Sequence, residues 1–225
     1  MQTSRSVTKV SGFTARELAV VVAVLFFLVW IGVATLLPSC SRPAMSGQVY
    51  CIRNLKELTL AAITWVNDNN AENLPTSYST NQGGVREYLA QGKLPLFFQM
   101  ISNELKTPEI LACLTDKRKP ASDFRSLSNR NISYFINMDA SVSNSYNIFA
   151  GDRNITNSRP VRSGMLEIRG TDLPGWGMGL HCTRSSAVRY GNIALVDGSV
   201  HQSSEGDLQQ AFARSAIETN HLVLP

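Results

Sequence analysis

The residues of this chain with the greatest capacity for chemistry are its three histidines and four cysteines. Cys182 stands next to His181, so a thiol nucleophile and a base are neighbours in the sequence. The other members of a thiol-hydrolase set would be His201, His221 and Asp197. Adjacent side chains point in different directions, however, and the sequence has no nucleophile elbow and no oxyanion-type glycine motif. We therefore expect no enzyme and no catalytic residues, and we keep a periplasmic hydrolase as an alternative.

Potential metal ligands occur without the spacing of a known metal site. Asp139, Asp152 and Asp197 are candidate carboxylate ligands for calcium, but the sequence has no EF-hand spacing. The cysteines form no Cys-x-x-Cys pair, and no histidine stands at zinc-finger spacing. We therefore assign no cofactor and no metal residue, with calcium left open.

Positive charge is a third feature with chemical meaning. The chain has 21 Lys plus Arg against 17 Asp plus Glu, a net charge of +4. The densest basic cluster is Lys117-Arg118-Lys119, followed by Arg125 and Arg130. A solvated loop is the favoured interpretation, with a patch for nucleic acid or anionic lipid as the alternative. DNA binding would require these cations on one face with aromatic neighbours, and we do not expect a nucleic-acid partner.

The elements that position these residues follow from the periodicity of apolar side chains. A helix of about 20 residues is indicated by apolar residues at alternating spacings of four and three, namely Cys51, Leu55, Leu58, Ala62 and Trp65. Shorter helices are predicted at 95–105 and 207–218. Strands are predicted at 110–113, 132–136, 146–150, 192–196 and 199–202. Asp197-Gly198 predicts a two-residue type I′ hairpin turn. This order of elements indicates an α+β fold with an antiparallel sheet.

A long apolar run precedes these elements. Residues 18–37 carry no charge, and as a helix they would reach about 30 Å, the thickness of a bilayer core. Arg5, Lys9 and Arg16 stand before the run, where Glu17 is the single acidic residue. By the positive-inside rule the N-terminus stays in the cytoplasm and the remainder is exported. A plain signal anchor and a cleaved secretory signal are the alternatives.

The residues at the head of the run have a recognisable pattern. Gly12-Phe13-Thr14-Ala15-Arg16-Glu17 resembles the processing site of bacterial prepilins. In that family a prepilin peptidase cuts after the glycine, the aromatic first mature residue is N-methylated, and a glutamate stands at mature position five. The resemblance implies cleavage after Gly12, methylation of Phe13 and a role of Glu17 in assembly.

The implied chemistry agrees with the residue types. Gly12 has no side chain, so a peptidase can bind the extended backbone closely. An ionised Glu17 without a partner would cost up to about 2.5–3.5 kcal/mol in the bilayer. The new amine of Phe13 on a neighbouring subunit would neutralise Glu17 and favour a staggered assembly of parallel helices. A glutamate that merely sits in the headgroup zone is the alternative.

The resemblance extends along most of the chain. Segments 51–70, 131–135, 150–154, 191–200 and 219–221 look like bacterial prepilin-type proteins related to the pseudopilins of type II secretion. The resemblance implies a pilin-like fold, in which a long N-terminal helix packs on an antiparallel sheet. In that family the major pseudopilins bind calcium near their C-terminal sheet, so the resemblance is a second reason to leave calcium open.

This resemblance predicts an organisation, a location and a function. Residues 1–12 are the expected leader, 13–38 the transmembrane and assembly helix, and 39–225 the exported pilin-like domain. We expect a single-pass protein of the bacterial inner membrane, with a cytoplasmic N-terminus and a periplasmic or extracellular C-terminal domain. The implied function is that of a structural subunit of a type II secretion pseudopilus or type IV pilus-like fibre. Its partners would be other subunits and the prepilin peptidase/N-methyltransferase. A signal-anchored periplasmic binding protein for DNA or a surface ligand is the alternative.

A disulfide is expected in an exported domain. We predict that Cys51 pairs with Cys113, because both lie in apolar runs of that domain. The closed loop of about 60 residues would contribute roughly 3–4 kcal/mol in the chain-entropy model. Four cysteines allow three complete pairings, so a bond to Cys182 and buried free thiols remain alternatives.

Overall fold

The computed structural model describes residues 14–36, 41–158, 164–177 and 189–225. The chain divides into two compact units, Met1–Ser39 and Cys40–Pro225. The predicted leader, residues 1–12, and Phe13 lie outside the described residues.

The first unit contains a single described helix, α1, at Ala15–Leu36. Apolar side chains cover it on all sides, and large ones such as Phe26 and Trp30 are about 70% exposed, at 72% and 69%. Its side chains are described as far as Trp30. Within the part of the chain that the structure describes, no helix is both long enough and apolar enough to cross a membrane. The membrane-spanning role of residues 13–38 stays a prediction.

The second unit opens with a 28-residue helix, α2, at Ser41–Asp68. The predicted apolar stripe is its buried face, since all five residues from Cys51 to Trp65 that define the stripe are at most 9% exposed. Asn70 ends the helix with a left-handed backbone at φ 48°, a conformation that Asn tolerates better than most residues. The periodicity therefore predicted this helix correctly, and the structure extends it from about 20 residues to 28.

The helix lies on a six-stranded antiparallel sheet. The strands pair in the order β4-β8-β1-β2-β6-β7. Their bounds are β1 Tyr134–Asn137, β2 Ile148–Asp152, β4 Met165–Arg169, β6 Gly191–Leu195, β7 Val200–Ser203 and β8 Thr219–Val223. Two short strands, β3 Ile155–Thr156 and β5 Gly175–Trp176, form a separate pair. The second unit is therefore α+β with an antiparallel sheet, as predicted.

Both faces of this sheet are covered. Tyr134 and Ile136 of β1 join the core beneath α2, whereas Phe135 points to the opposite face. There it packs in a second core with Leu208 and Phe212 of α6, which spans Glu205–Ser215. Ser204 caps α6 by accepting a hydrogen bond from the amide of Asp207. The remaining helices are α3 Arg86–Ala90, α4 Leu94–Met100 and α5 Ser102–Leu105.

Two predicted elements take a different form. The strand predicted at 110–113 is wrong, because a 3-10 helix occupies Pro108–Leu111. Pro108 has the fixed φ of a first helical residue, and the side chain of Thr107 accepts a hydrogen bond from the amide of Glu109. The helix predicted at 95–105 is divided at Ile101 into α4 and α5.

The hairpin of β6 and β7 is present with a different turn. The amide of Leu195 donates to the carbonyl of Ser199 (2.9 Å), and that of Gly198 donates to the carbonyl of Leu195 (3.0 Å). The loop therefore contains residues 196–198, rather than two residues. Gly198 has φ 85°, and Asp197 has no positive φ. A type I turn followed by a left-handed glycine explains this geometry.

Candidate functional site

Glu17 lies in the first turn of α1 and is bound by Thr14. One carboxylate oxygen, Oε2, accepts hydrogen bonds from the amide (2.8 Å) and the hydroxyl (2.9 Å) of Thr14. In return, the hydroxyl of Thr14 accepts a hydrogen bond from the amide of Glu17 (3.4 Å). This reciprocal arrangement is a capping box, which satisfies backbone donors that a helix N-terminus leaves open. The carboxylate is thereby turned back toward the N-terminal end of the helix.

The partners of Glu17 leave its charge in place. An amide and a hydroxyl supply hydrogen bonds, but neither carries a formal charge that would neutralise a carboxylate. The remaining members of the predicted processing site, Gly12 and Phe13, lie outside the described residues. The structure therefore places Glu17, whereas its role in assembly and the cleavage position stay predictions. The Thr-x-x-Glu spacing of Thr14 and Glu17 is the sequence signal of this capping box.

The predicted cysteine pair is joined in the structure. Cys51 of α2 and Cys113 form a disulfide across a sequence separation of 62, with their Cα atoms 5.5 Å apart. Both residues are buried, at 0% and 1% exposure. The bond ties α2 to a loop rather than to the predicted strand. Cys40 and Cys182 lie outside the described residues.

A second contact brings the same loop against α2. The side chain of Thr115 lies so close to Gly47 that a Cβ atom at position 47 would collide with the methyl group of Thr115. The hydroxyl of Thr115 is 3.0 Å from the sulfur of Cys113. The absence of a side chain at Gly47 therefore allows the loop to approach α2 closely.

The loop is fixed further by a buried ion pair. The side chain of Asp116 is 1% exposed and receives two hydrogen bonds from Arg153, at 2.7 and 2.9 Å. The hydroxyl of Ser133 donates a third, at 2.9 Å. Burial raises the pKa of Asp116, but the hydrogen bonds from Arg153 and Ser133 outweigh it, so the pKa lies below its ordinary value. The same pairing raises the pKa of Arg153. Asp116 therefore stays ionised as part of the fold.

The predicted basic cluster is divided by the fold. Arg118 uses its guanidinium internally, because Nη1 donates to the carbonyls of Asn129 and Ile132 and Nη2 to the carbonyl of Pro225 (3.3 Å). The other four cations are exposed: Lys117, Lys119, Arg125 and Arg130. No sequence signal separates Arg118 from its neighbours, since the carbonyls that it binds come from distant positions.

The structure brings together two residues of the predicted hydrolase set, Asp197 and His201, because both contact the hydroxyl of Ser199. Ser199 Oγ is 2.6 Å from Asp197 Oδ1 and donates its proton there, while His201 Nε2 lies 3.1 Å from the same hydroxyl. In a hydrolase the histidine must accept the proton of the nucleophile. Here the hydroxyl donates its hydrogen bond to the carboxylate of Asp197, so this group stabilises the turn. Cys182 and His181 lie outside the described residues.

The third histidine is part of another structural pair. His221 Nδ1 is 2.7 Å from Asp139 Oδ2, and Asp139 Oδ1 is 3.6 Å from Arg86. This pair connects β8 with the end of β1 and with α3. His221 therefore does not join His201 and Asp197 in a catalytic group.

The three candidate calcium ligands are separated from one another. Asp139 binds His221, and Asp197 binds Ser199 in the hairpin turn. Asp152 is buried in β2, where its Oδ2 accepts hydrogen bonds from the amide and the side chain of Asn192. Among the described residues, no group of three His, Cys, Asp or Glu side chains converges as a metal site would require. Each carboxylate has a role in the fold instead.

Comparison with known proteins adds no assignment: no family model, no curated protein and no solved structure matches this chain. The likeness to prepilins therefore rests on the sequence motifs alone.

Proposed function

We propose that this chain is a structural subunit of a type II secretion pseudopilus or a type IV pilus-like fibre. In this proposal the precursor is cut after Gly12, Phe13 is N-methylated, and residues 13–38 hold the subunit in the inner membrane before assembly. The rest of the chain is exported and forms the body of the subunit. The partners are further subunits and the prepilin peptidase/N-methyltransferase.

The observation that carries the proposal is the orientation of Glu17. Its carboxylate bonds to the amide of Thr14, the residue directly after Phe13. A carboxylate held at this end of the helix is well placed to receive the amine that cleavage would create on Phe13 of a neighbouring subunit. The capping box leaves the negative charge available for that amine. A staggered contact between parallel helices would then neutralise both groups.

The helix that carries Glu17 also supports the proposal. α1 continues for 22 residues without a break. Its large apolar side chains, including Leu25, Phe26 and Trp30, are more than half exposed in the isolated chain at 56%, 72% and 69%. Apolar surface of this extent calls for lipid, for other copies of α1, or for both in succession. A subunit that leaves the membrane during assembly would be surrounded first by lipid and then by other copies of α1.

The second unit is compatible with a pilin-like body. Its 28-residue helix α2 buries one face on an antiparallel sheet, which is the arrangement that the pilin resemblance implies. The buried disulfide between Cys51 and Cys113 suits an oxidising compartment outside the cytoplasm. The internal use of Arg118 removes one of the five cations on which the DNA-binding alternative depends.

The proposal is tested by removing the charge of Glu17. The Glu17→Ala variant, expressed in the native host, should insert and be processed normally but should lose chemically cross-linked multimers. A matched control is Glu57→Ala, which removes an exposed carboxylate of α2 that pairs with Arg53 at 3.3 Å. The control should keep its multimers. Unchanged multimers in Glu17→Ala would favour a plain signal anchor and contradict the proposal.

A further inference from the structure

The loop at residues 113–133, here called the basic loop, has an excess of positive charge. It contains five cations, Lys117, Arg118, Lys119, Arg125 and Arg130, and two carboxylates, Asp116 and Asp123. Its formal charge is therefore five minus two, or +3. Arg118 is committed to backbone carbonyls, and the other four cations are exposed.

The carboxylates of the basic loop do not neutralise these exposed cations. Asp116 is buried and held by Arg153. Asp123 accepts a hydrogen bond from the amide of Ser126 at 2.7 Å, which lowers the pKa of Asp123. Among the ion pairs of the described residues, none includes Lys117, Lys119, Arg125 or Arg130. The positive charge of the loop is therefore available to an external anion.

The basic loop lies at one end of the sheet. It leads directly into β1, whose first residue, Tyr134, pairs with Asp152 at the end of β2. The hairpin turn lies at the opposite end, since Leu195 pairs with Ile148 at the start of β2. The end of the sheet that carries the basic loop, here called the basic end, therefore lies opposite the hairpin turn.

The basic end is also the end at which α2 begins. Thr115 packs against Gly47, six positions after Ser41, which corresponds to about 9 Å along a helix axis. The disulfide to Cys51 holds the loop at this level. Along the chain, only residues 37–40 separate the last residue of α1 from the first of α2.

We infer that the basic loop docks on the anionic phospholipid headgroups of the membrane that holds α1. The inference rests on the proposed function, because α1 must be anchored for the start of α2 to be tethered near the membrane surface. Each Lys or Arg near an anionic surface favours the docked state by about fivefold. Such attraction falls off over a Debye length of about 8 Å at physiological salt. The disulfide to Cys51 and the contact of Thr115 with Gly47 hold the start of the basic loop against α2, near this tethered end.

Lipid suits the basic loop better than nucleic acid. Binding of single strands relies on exposed aromatic side chains on which bases stack. Phe124 is the only aromatic residue of the basic loop, and it is half-buried against the core. A headgroup surface requires only accessible positive charge, which the loop provides.

The test uses the full chain in vesicles of phosphatidylcholine, with or without phosphatidylglycerol. Hydrogen exchange of peptides within 113–133 should slow several-fold when phosphatidylglycerol is present. The effect should disappear in 1 M salt, where the Debye length falls to about 3 Å. The double variant Lys117→Gln/Lys119→Gln should lose most of the protection. The matched control Arg169→Gln/Arg214→Gln removes two exposed positive charges outside the basic loop and should keep the protection. Arg169 pairs with Thr219 of β8, at the end of the sheet opposite the basic loop.

Three outcomes would overturn the inference, and they differ in what they say about the proposed function. Equal exchange in both lipids, with the chain resistant to carbonate extraction, refutes lipid docking and leaves the membrane anchor intact. Release of the chain by carbonate refutes the anchor and the docking together. Retention of single-stranded DNA by the chain in phosphatidylcholine vesicles, lost in Lys117→Gln/Lys119→Gln and without a phosphatidylglycerol effect, would assign the loop to nucleic acid instead.

Discussion

Arg153 holds Asp116 through two parallel hydrogen bonds, from Nε to Oδ2 at 2.7 Å and from Nη2 to Oδ1 at 2.9 Å. The pair joins the residue after β2 to the basic loop, so it fixes the loop on the sheet. Because Asp116 is buried, its loss would leave Arg153 and Arg118 without their shared carboxylate. A buried pair that loses one partner costs about 3–5 kcal/mol, and exposure of a third of Arg153 reduces that figure.

We therefore predict that Asp116→Asn lowers the free energy of unfolding of the second unit by about 2–3 kcal/mol. Denaturant unfolding followed by circular dichroism measures the change. Asp123→Asn is the matched control, since it removes an exposed carboxylate of the same loop, and its effect should be much smaller. Equal effects of the two substitutions would contradict a structural role of the pair.

The pH dependence of stability should follow from the same residue. The pKa of Asp116 is lower in the folded chain than in the unfolded chain. Its stabilising contribution is therefore complete above the unfolded pKa of about 3.9 and is lost as the pH falls through the folded value. The melting temperature of the wild type should drop more steeply below about pH 4 than that of Asp116→Asn. Parallel pH profiles of the two proteins would refute this assignment.

The capping box predicts a role for Thr14 in positioning Glu17. Thr14→Val removes the hydroxyl that bonds to the carboxylate and should weaken the helix start by about 1 kcal/mol. We expect fewer cross-linked multimers than in the wild type but more than in Glu17→Ala. Thr14→Ser keeps the hydroxyl and should restore the multimers. Failure of serine to restore them would show that the hydrogen bond is not what matters at this position.

The disulfide prediction is tested by comparing single and double substitutions. If Cys51 and Cys113 pair with each other, Cys51→Ser, Cys113→Ser and the double variant should have similar effects. Each should cost about 4 kcal/mol in the chain-entropy model, given the sequence separation of 62. Non-reducing peptide mapping of the wild type should recover the two cysteines in one linked species. A peptide that links Cys51 to Cys182 would contradict this pairing.

The hairpin turn predicts that a glycine-to-alanine substitution at Gly198 lowers stability. The same substitution at Gly206, in α6, is a control that should raise stability. Gly198 has φ 85°, so Gly198→Ala places a side chain in a strained backbone and should destabilise the unit by about 1–2 kcal/mol. Gly206 lies in α6, where the nearest atom to an added Cβ is 3.9 Å away. Gly206→Ala should therefore stabilise the unit, by up to about 1 kcal/mol. Equal melting temperatures of the two variants would refute the assigned turn.

Local patterns predicted much of the second unit because their signals lie within a few residues. The buried stripe of α2 and the hairpin partners β6 and β7 are examples. β4 and β8 were missed, although Met165–Arg169 alternates in burial as a strand should. Their pairing joins Met165 to Val223 across the chain, and no short turn between them marks it. The residues between them include β5, β6, β7 and α6, so the two strands are far apart in the sequence.

The candidate site was predictable to a lesser extent. Gly12, Phe13 and Glu17 emerged from a sequence motif, whereas the role of Arg118 depends on carbonyls at Asn129, Ile132 and Pro225. The split between internal and exposed cations is therefore a property of tertiary structure. The pairing of Asp116 with Arg153 is also a property of tertiary structure, since no pattern in the neighbouring sequence indicates that partner.

Mass spectrometry of the N-terminus of the protein from its native host tests the central claim most directly. The account predicts a mature chain that begins at Phe13 with a methyl group on its amine. Gly12→Val should leave the full-length precursor in the membrane, because a bulky side chain obstructs the close binding of the backbone that cleavage requires. Ser6→Val places the same side chain elsewhere in the leader and should be processed normally. A wild-type chain that retains residues 1–12, or a Gly12→Val chain that is still shortened after position 12, would contradict the account.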